Sequence, residues 1–413
     1  MKDFSKPIAQ NVLDIEDKLR SSVFAWRGQF SPQFVESILK AYCPDNSVVL
    51  DPFAGSGTVL REAADMGLPA CGYEINPSAW SFSKLHEFAN IPLNEREQRI
   101  CELRHRVEEE FPIVLFREQD LRPEEIEVRI DRIGEAIGDE TKILFNALVV
   151  LLDIFNNKVS GELVQGKLQA LAGHVRNLAY SNGRIKVGLY DARNMPLENG
   201  AAGFVLTSPP YINVFNYHQN YRRSVEALGW DPLRVARSEI GSNRANRGNR
   251  FLTVLQYCID IAYTLEEIHR VLNSDGRAVL VVGYESNVLG VPFRNADIVQ
   301  RIAVELGLFK LVLRQKRVFK NRFGKSIRED ILNFAKRARS NGRILPAEVG
   351  RTVGSAVLES QVDSVSNENR ALLMDAIARG PMICGTAYFD GSSCSSYQTR
   401  GGVMMVEEER TPY

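Results

Sequence analysis

The chain lacks the features that would tie it to a metal, a membrane or a strong bulk charge. Its six cysteines, at 43, 71, 101, 258, 384 and 394, form no C-x-x-C pair, and with the five histidines they make no zinc-finger spacing. No metal site is expected, and scattered thiols suit a reducing cytoplasm. The N-terminal MKDFSKPIAQ lacks the apolar run of a secretory signal. The most apolar stretch, Ile143 to Phe155, carries Asn146 and Asp153. It is also shorter than the roughly 20 residues that a membrane span needs, so a buried helix is expected there, and no membrane. Basic and acidic residues balance at 51 each, so any basic surface has to be local. There is no internal repeat. With 413 residues, 44% apolar and 25% charged, the chain has the composition of a globular protein of one large domain with insertions, or of two to three domains.

Two strand–turn–helix units stand out. In SVVLDPFAGSGTVLREAADMG a short apolar run passes through a glycine-rich turn into a helix, with Gly67 as its C-cap. PACGYEIN follows as a second strand ending at Glu74. Residues 85–184 read as a charged helical insertion, too long for one crossover helix and a candidate target-recognition region. RIKVGLYDAR then supplies a strand ending at Asp191, and AAGFVLTSPPY a fourth. A long amphipathic helix and a strand at 277–283 come next, then two closing strands with a basic turn between them. This alternation predicts a mostly parallel sheet covered on both faces, with an antiparallel hairpin at one edge. The expected division is 1–84 and 185–336 as the two halves of one catalytic domain, 85–184 as the insertion, and 337–413 as a loosely ordered appendage.

Gly55 and Gly57 in DPFAGSGT allow a tight turn and close backbone approach to a ligand. No third glycine completes G-x-G-x-x-G, and no Gly-Lys-Ser/Thr follows, which argues against a pyrophosphate. Glu74 stands where an acid can bind both ribose hydroxyls. Asp191, at the next strand end, is placed to accept from an adenine amino group. Ribose and adenine without phosphate point to S-adenosylmethionine. The plain alternative is that the turn is only structural.

TSPPY, at Thr207 to Tyr211, follows the buried-looking GFVL. Proline has no backbone donor and a fixed φ, so the pair ends the strand in a rigid loop. In an open α/β sheet such an edge is where ligands bind. The alternative is a strand-ending turn with no further role.

DPFAGSGT and TSPPY together resemble the two signature motifs of the DNA amino-methyltransferases. The resemblance spans about 21–84 and 185–336, and leaves out the helical insertion and the tail. FAWRGQFSPQFV, Phe24 to Val35, resembles that family's N-terminal cofactor motif, and EEIHRVLNSDGRAVLVVG its fifth-strand unit. The resemblance implies a class I S-adenosylmethionine-dependent methyltransferase fold, Rossmann-like, with a seven-stranded mostly parallel sheet. It implies S-adenosyl-L-methionine as cofactor, held by Arg27, Gln29 and Phe30, by Asp51 and Phe53 through Thr58 (Ala54, Gly55, Ser56 and Gly57 between them), and by Glu74, Ile75, Asp191, Ala192 and Ser208. It implies catalysis by Ser208, Pro209, Pro210 and Tyr211 on an exocyclic amino group of a base flipped out of duplex DNA. A serine before the prolines resembles the cytosine-N4 branch. Here the cofactor motif precedes TSPPY, whereas many cytosine-N4 enzymes carry the reverse order. No Pro-Cys pair is present, so a thiolate attack on carbon 5 has no support. Adenine-N6 methylation, RNA methylation and a non-catalytic binding subunit are the alternatives, and a cognate restriction endonuclease is a possible partner.

Two basic stretches offset the neutral total. Seven arginines face three acids between His218 and Arg250, and GSNRANRGNR reads as a flexible loop. Eight lysines or arginines and no acid lie between Lys310 and Arg328. Arg222, Arg244, Arg247, Arg250, Lys320 and Arg322 are the expected phosphate contacts; the alternative for each stretch is a solvated face. His218 is expected to be a satisfied structural histidine, and Tyr217 a second ring beside Tyr211.

Overall fold

The computed structural model describes residues 2–15, 19–20, 24, 26, 28–113, 121–212, 217–320, 324–339 and 344–391. Its sheet forms because the central strands are apolar on both faces. β4, Ala202–Thr207, is buried throughout. Its Phe204 and Leu206 enter one core with Val49, Val279 and Val281, while Val205 enters the opposite core with Leu50, Leu280 and Val282. Successive strand residues point to opposite faces, so both faces need cover.

The remaining strands are β1, Val49–Asp51; β2, Ala70–Tyr73; β3, Ile185–Gly188; β5, Leu272–Gly283; β8, Phe309–Lys320; and β9, Ser326–Lys336. A separate small hairpin pairs β6, Ser286–Val288, with β7, Val291–Phe293. The main sheet runs β3-β2-β1-β4-β5-β9-β8. β3, β2, β1, β4 and β5 are mutually parallel. β9 is antiparallel to β5 and to β8, so the last strand of the sheet is inserted between the fifth and the edge. This is the class I S-adenosylmethionine-dependent methyltransferase fold.

One face is covered by α1, Gln10–Asp14, α2, Pro32–Tyr42, and α3, Thr58–Asp65. α4, Pro77–Lys84, leads to an insertion of α5, Leu93–Glu110, α6, Pro123–Ala136, α7, Asp139–Leu152, and α8, Gly161–Arg176. These helices share a core of their own, with Leu103, Ile130, Leu148 and Leu171 buried in it. The apolar Ile143–Phe155 run is largely α7, which ends where Asp153 turns left-handed at φ 45. Among the described residues, no helix is long and apolar enough to cross a membrane. α9, Arg222–Ala227, and α10, Pro232–Val235, follow the segment after β4.

The other face is covered by α11, Leu252–Val271, α12, Asn295–Glu305, α13, Pro346–Glu359, and α14, Asn367–Arg379. Over the described residues 344–391 the structure differs from the expected loose appendage, while 340–343 and 392–413 lie outside the described residues. Val353, Leu358, Leu373 and Ala376 of α13 and α14 are buried in the main core. Glycine inside a helix costs about 1 kcal/mol relative to alanine, which hides α13 from a propensity reading. The glycine is used for close packing: a Cβ on Gly350 would lie 2.5 Å from the Ile259 Cα on α11.

Candidate active site

The site is assembled at the carboxyl ends of β1, β2 and β4 and on the loop after β3. Asp51 closes β1 and is almost fully buried. Its Oδ1 accepts from Thr207 Oγ1 at 2.6 Å and from the Phe53 amide at 3.1 Å. Burial, and to a lesser extent the nearby Glu74 charge, push its pKa up to about 7. The chain then turns through Gly55 at φ 54 and Gly57 at φ 85 into α3. A Cβ on Gly57 would stand 2.4 Å from His86 Cδ2, so no larger residue fits. His86 Nε2 lies 3.1 Å from the Ser56 carbonyl. Burial pushes this imidazole down to about 4, so it is neutral at pH 7 and its proton sits on Nε2.

Glu74 follows β2. Its Oε2 accepts from the Gly55 amide, and its Oε1 from the amides of Ile75 and Asn76, each at 2.9 Å. Burial raises the Glu74 pKa, and these three donors oppose it. The carboxylate has about four acceptor sites, so one remains for a ligand. Asp191, after β3, differs. Oδ1 accepts from the Arg193 amide and Nε, and Oδ2 from Arg193 Nη2 and the Phe389 amide.

Ser208 to Tyr211 leave β4 at the same edge. The Tyr211 ring packs on β5, where a Cβ on Gly283 would meet its Cε2 at 2.7 Å. Its hydroxyl is 3.3 Å from Ser208 Oγ, and burial raises the phenol pKa. All four residues line one cleft with Asp51, Phe53, Ala54, Gly55, Ser56, Thr58, Glu74, Ile75, Asp191, Ala192, Gln29 and Phe30. Gln29 Oε1 accepts from Ser56 Oγ at 2.9 Å. Arg27 lies outside the described residues. Counted out to its open mouth, the cleft has about 1060 Å³ of empty space.

The cleft holds groups that sequence reading missed. Trp26 lines it beside Gly55 and stacks on Tyr217 at 6.1 Å with planes 16° apart. Ser238, Glu239 and Ile240 line it from the segment after α10. Trp26 sits inside the FAWRGQF motif and was within reach; RSEIG carries no local signal at all. Glu239 Oε2 is 2.9 Å from His218 Nδ1 in a buried pair, the satisfied structural role expected for His218.

The basic residues are rearranged by the fold. Arg222 pairs with Glu226 at 2.6 Å, Arg317 with Glu329, and Arg314 with Asp297 and Asp330. GSNRANRGNR is an anchored turn and not a free loop: Asn249 Nδ2 donates to the Leu372 carbonyl and Asp375 of α14, and Asn246 to Gln256. Arg244 and Arg250 are half-buried and Arg247 is exposed, a few residues beyond the cleft wall. Lys320 is exposed at the end of β8, which runs parallel to β5 and so ends at the sheet edge that carries the cleft. Arg322 lies outside the described residues.

Four acids (Asp51, Glu74, Asp191 and Glu239) line the cleft, and none of the described lining residues is a lysine or arginine. Such a donor set suits a cation that carries hydroxyls and repels a phosphate. Among the described residues, no group of three or more His, Cys, Asp and Glu is placed to hold a metal.

Comparison with known proteins bears on the same segment. Residues 8–84 match the N6/N4 family model described as DNA methylase. The Type II methyltransferase M.MjaII of Methanocaldococcus jannaschii is 38% identical over 55 residues, which is 13% of this chain and 10% of that protein. The match therefore spans about a tenth of that curated relative. Among solved structures, an S-adenosylmethionine-dependent methyltransferase from Methanosarcina mazei covers 73% of this chain and 98% of its own, at 11% identity and TM-score 0.34. A TehB-like enzyme from Corynebacterium glutamicum covers 73% and 87%, at 11% identity and TM-score 0.27. Strand order, the matched segment and the acidic cleft agree on S-adenosyl-L-methionine as the cofactor.

Proposed function

We propose that the chain is a DNA methyltransferase that methylates an exocyclic amino group, the N4 of cytosine, in a base flipped out of the duplex. The observation that carries this reading is that Ser208, Pro209, Pro210 and Tyr211 open into the same cleft as Gly55 and Glu74. An acceptor loop and a cofactor turn thus share one cavity. When bound, S-adenosylmethionine supplies a methyl group on a sulfonium, which leaves with its bonding electrons as the thioether.

Everything else is done by the chain. An exocyclic amino group is a poor nucleophile because its lone pair is delocalised into the ring. The Ser208 hydroxyl and the Pro209 carbonyl accept from its two hydrogens and stabilise the positive charge that develops on nitrogen. The prolines hold these acceptors in place, so little reorganisation is needed. The Tyr211 ring holds the base on its face, and Trp26 and Tyr217 bound the same cavity. Once methylated, the nitrogen loses one proton to water. Arg244, Arg247, Arg250 and Lys320 contact phosphates around the flipped base. The five described free cysteines suit a cytoplasmic enzyme, and a cognate restriction endonuclease is a natural partner for such an activity.

Incubation of duplex DNA with purified protein and labelled S-adenosylmethionine, followed by digestion and mass spectrometry, tests the reading. N4-methylcytosine is expected. N6-methyladenine alone would overturn the cytosine assignment and keep the rest; label in RNA but not in DNA would overturn the substrate class. Replacing Arg244, Arg247 and Arg250 with alanine should flatten the salt dependence of DNA binding by about 0.9 in log–log slope for each phosphate that the variant no longer neutralises. An unchanged slope would make this turn a solvated surface.

Asp51 gives the cofactor affinity a pH dependence. Its folded pKa of about 7 means that it is mostly protonated at pH 5.5. A bound cation favours the carboxylate, so binding below pH 7 releases a proton and tightens as pH rises through that value. Between pH 5.5 and 7 the Kd for S-adenosylmethionine should fall by about tenfold. Equal values by calorimetry at both pH values would place Asp51 away from the cofactor charge.

A further inference from the structure

We infer that Ile383–Gly391 is a strap that completes the cofactor site, and that Arg193 is the positioning residue through which it acts. The inference rests on the S-adenosylmethionine reading of the cleft. Arg193 lies two residues beyond Asp191, and its side chain has no exposed surface. A buried guanidinium has five N–H donors to satisfy, and half of its hydrogen bonds go to the far end of the chain. Nε and Nη2 donate to Asp191 at 2.9 and 2.7 Å, and Nη1 donates to Asp260 of α11 at 2.7 Å. The strap supplies the remainder. Nη1 donates to the Thr386 carbonyl at 3.0 Å and to its hydroxyl at 2.7 Å, and Nη2 to the Ala387 carbonyl at 2.9 Å. The Tyr388 ring lies 4.4 Å from the guanidinium carbon and covers its face.

The strap also holds the two acids directly. Phe389 N–H donates to Asp191 Oδ2 at 2.9 Å. The Thr386 amide and hydroxyl donate to Asp260 Oδ1 and Oδ2 at 2.9 and 3.0 Å. The approach is close enough that a Cβ on Gly385 would stand 2.6 Å from Asp260 Oδ1. Two carboxylates and one guanidinium leave one excess negative charge in a dry site, which is costly without these neutral donors.

The consequence concerns the cleft. Asp191 accepts four hydrogen bonds from within the chain, about the capacity of a carboxylate. It acts as a strut that fixes the Tyr190–Ala192 wall of the cleft, and the strap fixes the strut. Loss of the strap's partners loosens that wall and weakens cofactor binding, while Ser208 and Tyr211 on the other side are untouched.

The test uses the full chain with Thr386→Val, which keeps the shape and removes the hydroxyl from both Arg193 and Asp260. Calorimetry well below the melting temperature should show S-adenosylmethionine bound about five- to tenfold more weakly. Turnover at saturating cofactor should be unchanged, and Thr386→Ser should restore parental affinity. Tyr388→Leu, which removes only the ring over the guanidinium, should shift the Kd the same way and decides the matter alone if Thr386→Val does not fold. Val353→Ala, in the α13 core, should lower the melting temperature without changing the Kd. Parental affinity in both strap variants, or an equal shift in Val353→Ala, would overturn the positioning role. A parent chain that binds no S-adenosylmethionine would overturn the cofactor reading itself, and this inference with it.

Discussion

Tyr211→Ala is expected to lose roughly 10²- to 10³-fold in the rate of methyl transfer while binding S-adenosylmethionine as the parent does. The ring packs on the Gly283 backbone at the end of β5 and lines the cleft, where the proposed function places the target base. Removing it deletes the stacking surface and lets the base drift, and a misplacement of about 1 Å costs on the order of 10²-fold. Some stability is lost as well, because truncation of a buried aromatic residue leaves a cavity; turnover is therefore measured well below the melting temperature. Tyr211→Phe isolates the hydroxyl. Its contact with Ser208 Oγ is long, at 3.3 Å, so Phe should keep much of the activity. Single-turnover rates for the two variants, with cofactor titrations alongside, separate these roles. If Phe were as slow as Ala, the ring-stacking account would fail and the hydroxyl pair would take its place.

Glu74→Ala should weaken S-adenosylmethionine binding by about 10- to 150-fold, the equivalent of roughly 1.5–3 kcal/mol for hydrogen bonds to a charged group. Two effects combine. In the proposed function the carboxylate offers its one remaining acceptor site to a ribose hydroxyl, and it also clamps the amides of Gly55, Ile75 and Asn76. Without it three buried donors lose their acceptor, and the glycine turn loses its tie to β2. Glu74→Gln should fall between parent and Ala. It keeps one carbonyl oxygen for Ile75 and Asn76 but turns an amino group toward the Gly55 donor. Calorimetry showing parental affinity in Glu74→Ala would remove this residue from the site. The substitution leaves Tyr211 and the basic residues Arg244, Arg247 and Arg250 unaffected as an internal control.

Both predictions concern residues that could be located without coordinates, because what marks them is local backbone chemistry. Gly55 and Gly57 are needed where φ is positive, at Gly57 with little space as well, and the prolines after Thr207 must end a strand. Glu74 and Asp191 follow runs whose apolar character already reads as buried strand. Even the two-sided cover of β4 is written in its uninterrupted GFVL. The helices of the insertion were legible for the same reason: the apolar run that becomes α7 is too short for a membrane span and too apolar for a surface.

What only the tertiary structure decided depends on pairings across long separations. Thr386 and Phe389 meet Arg193 and Asp191 across nearly half the chain, and no period or motif encodes such a meeting. Glu239 and Ser238 line the cleft because a connection after α10 passes over it. The basic run of β8 is unbroken in sequence, yet Arg314 and Arg317 find Asp297, Asp330 and Glu329 on neighbouring elements. Charge counted along a chain is therefore not charge presented at a surface. α13 is the same case in backbone form: its glycines lower helix propensity, and only the 2.5 Å approach to Ile259 on α11 reveals why they are there. Turn chemistry and strand burial act over a few residues and can be read directly; ion pairing and close packing depend on which distant groups the fold brings together.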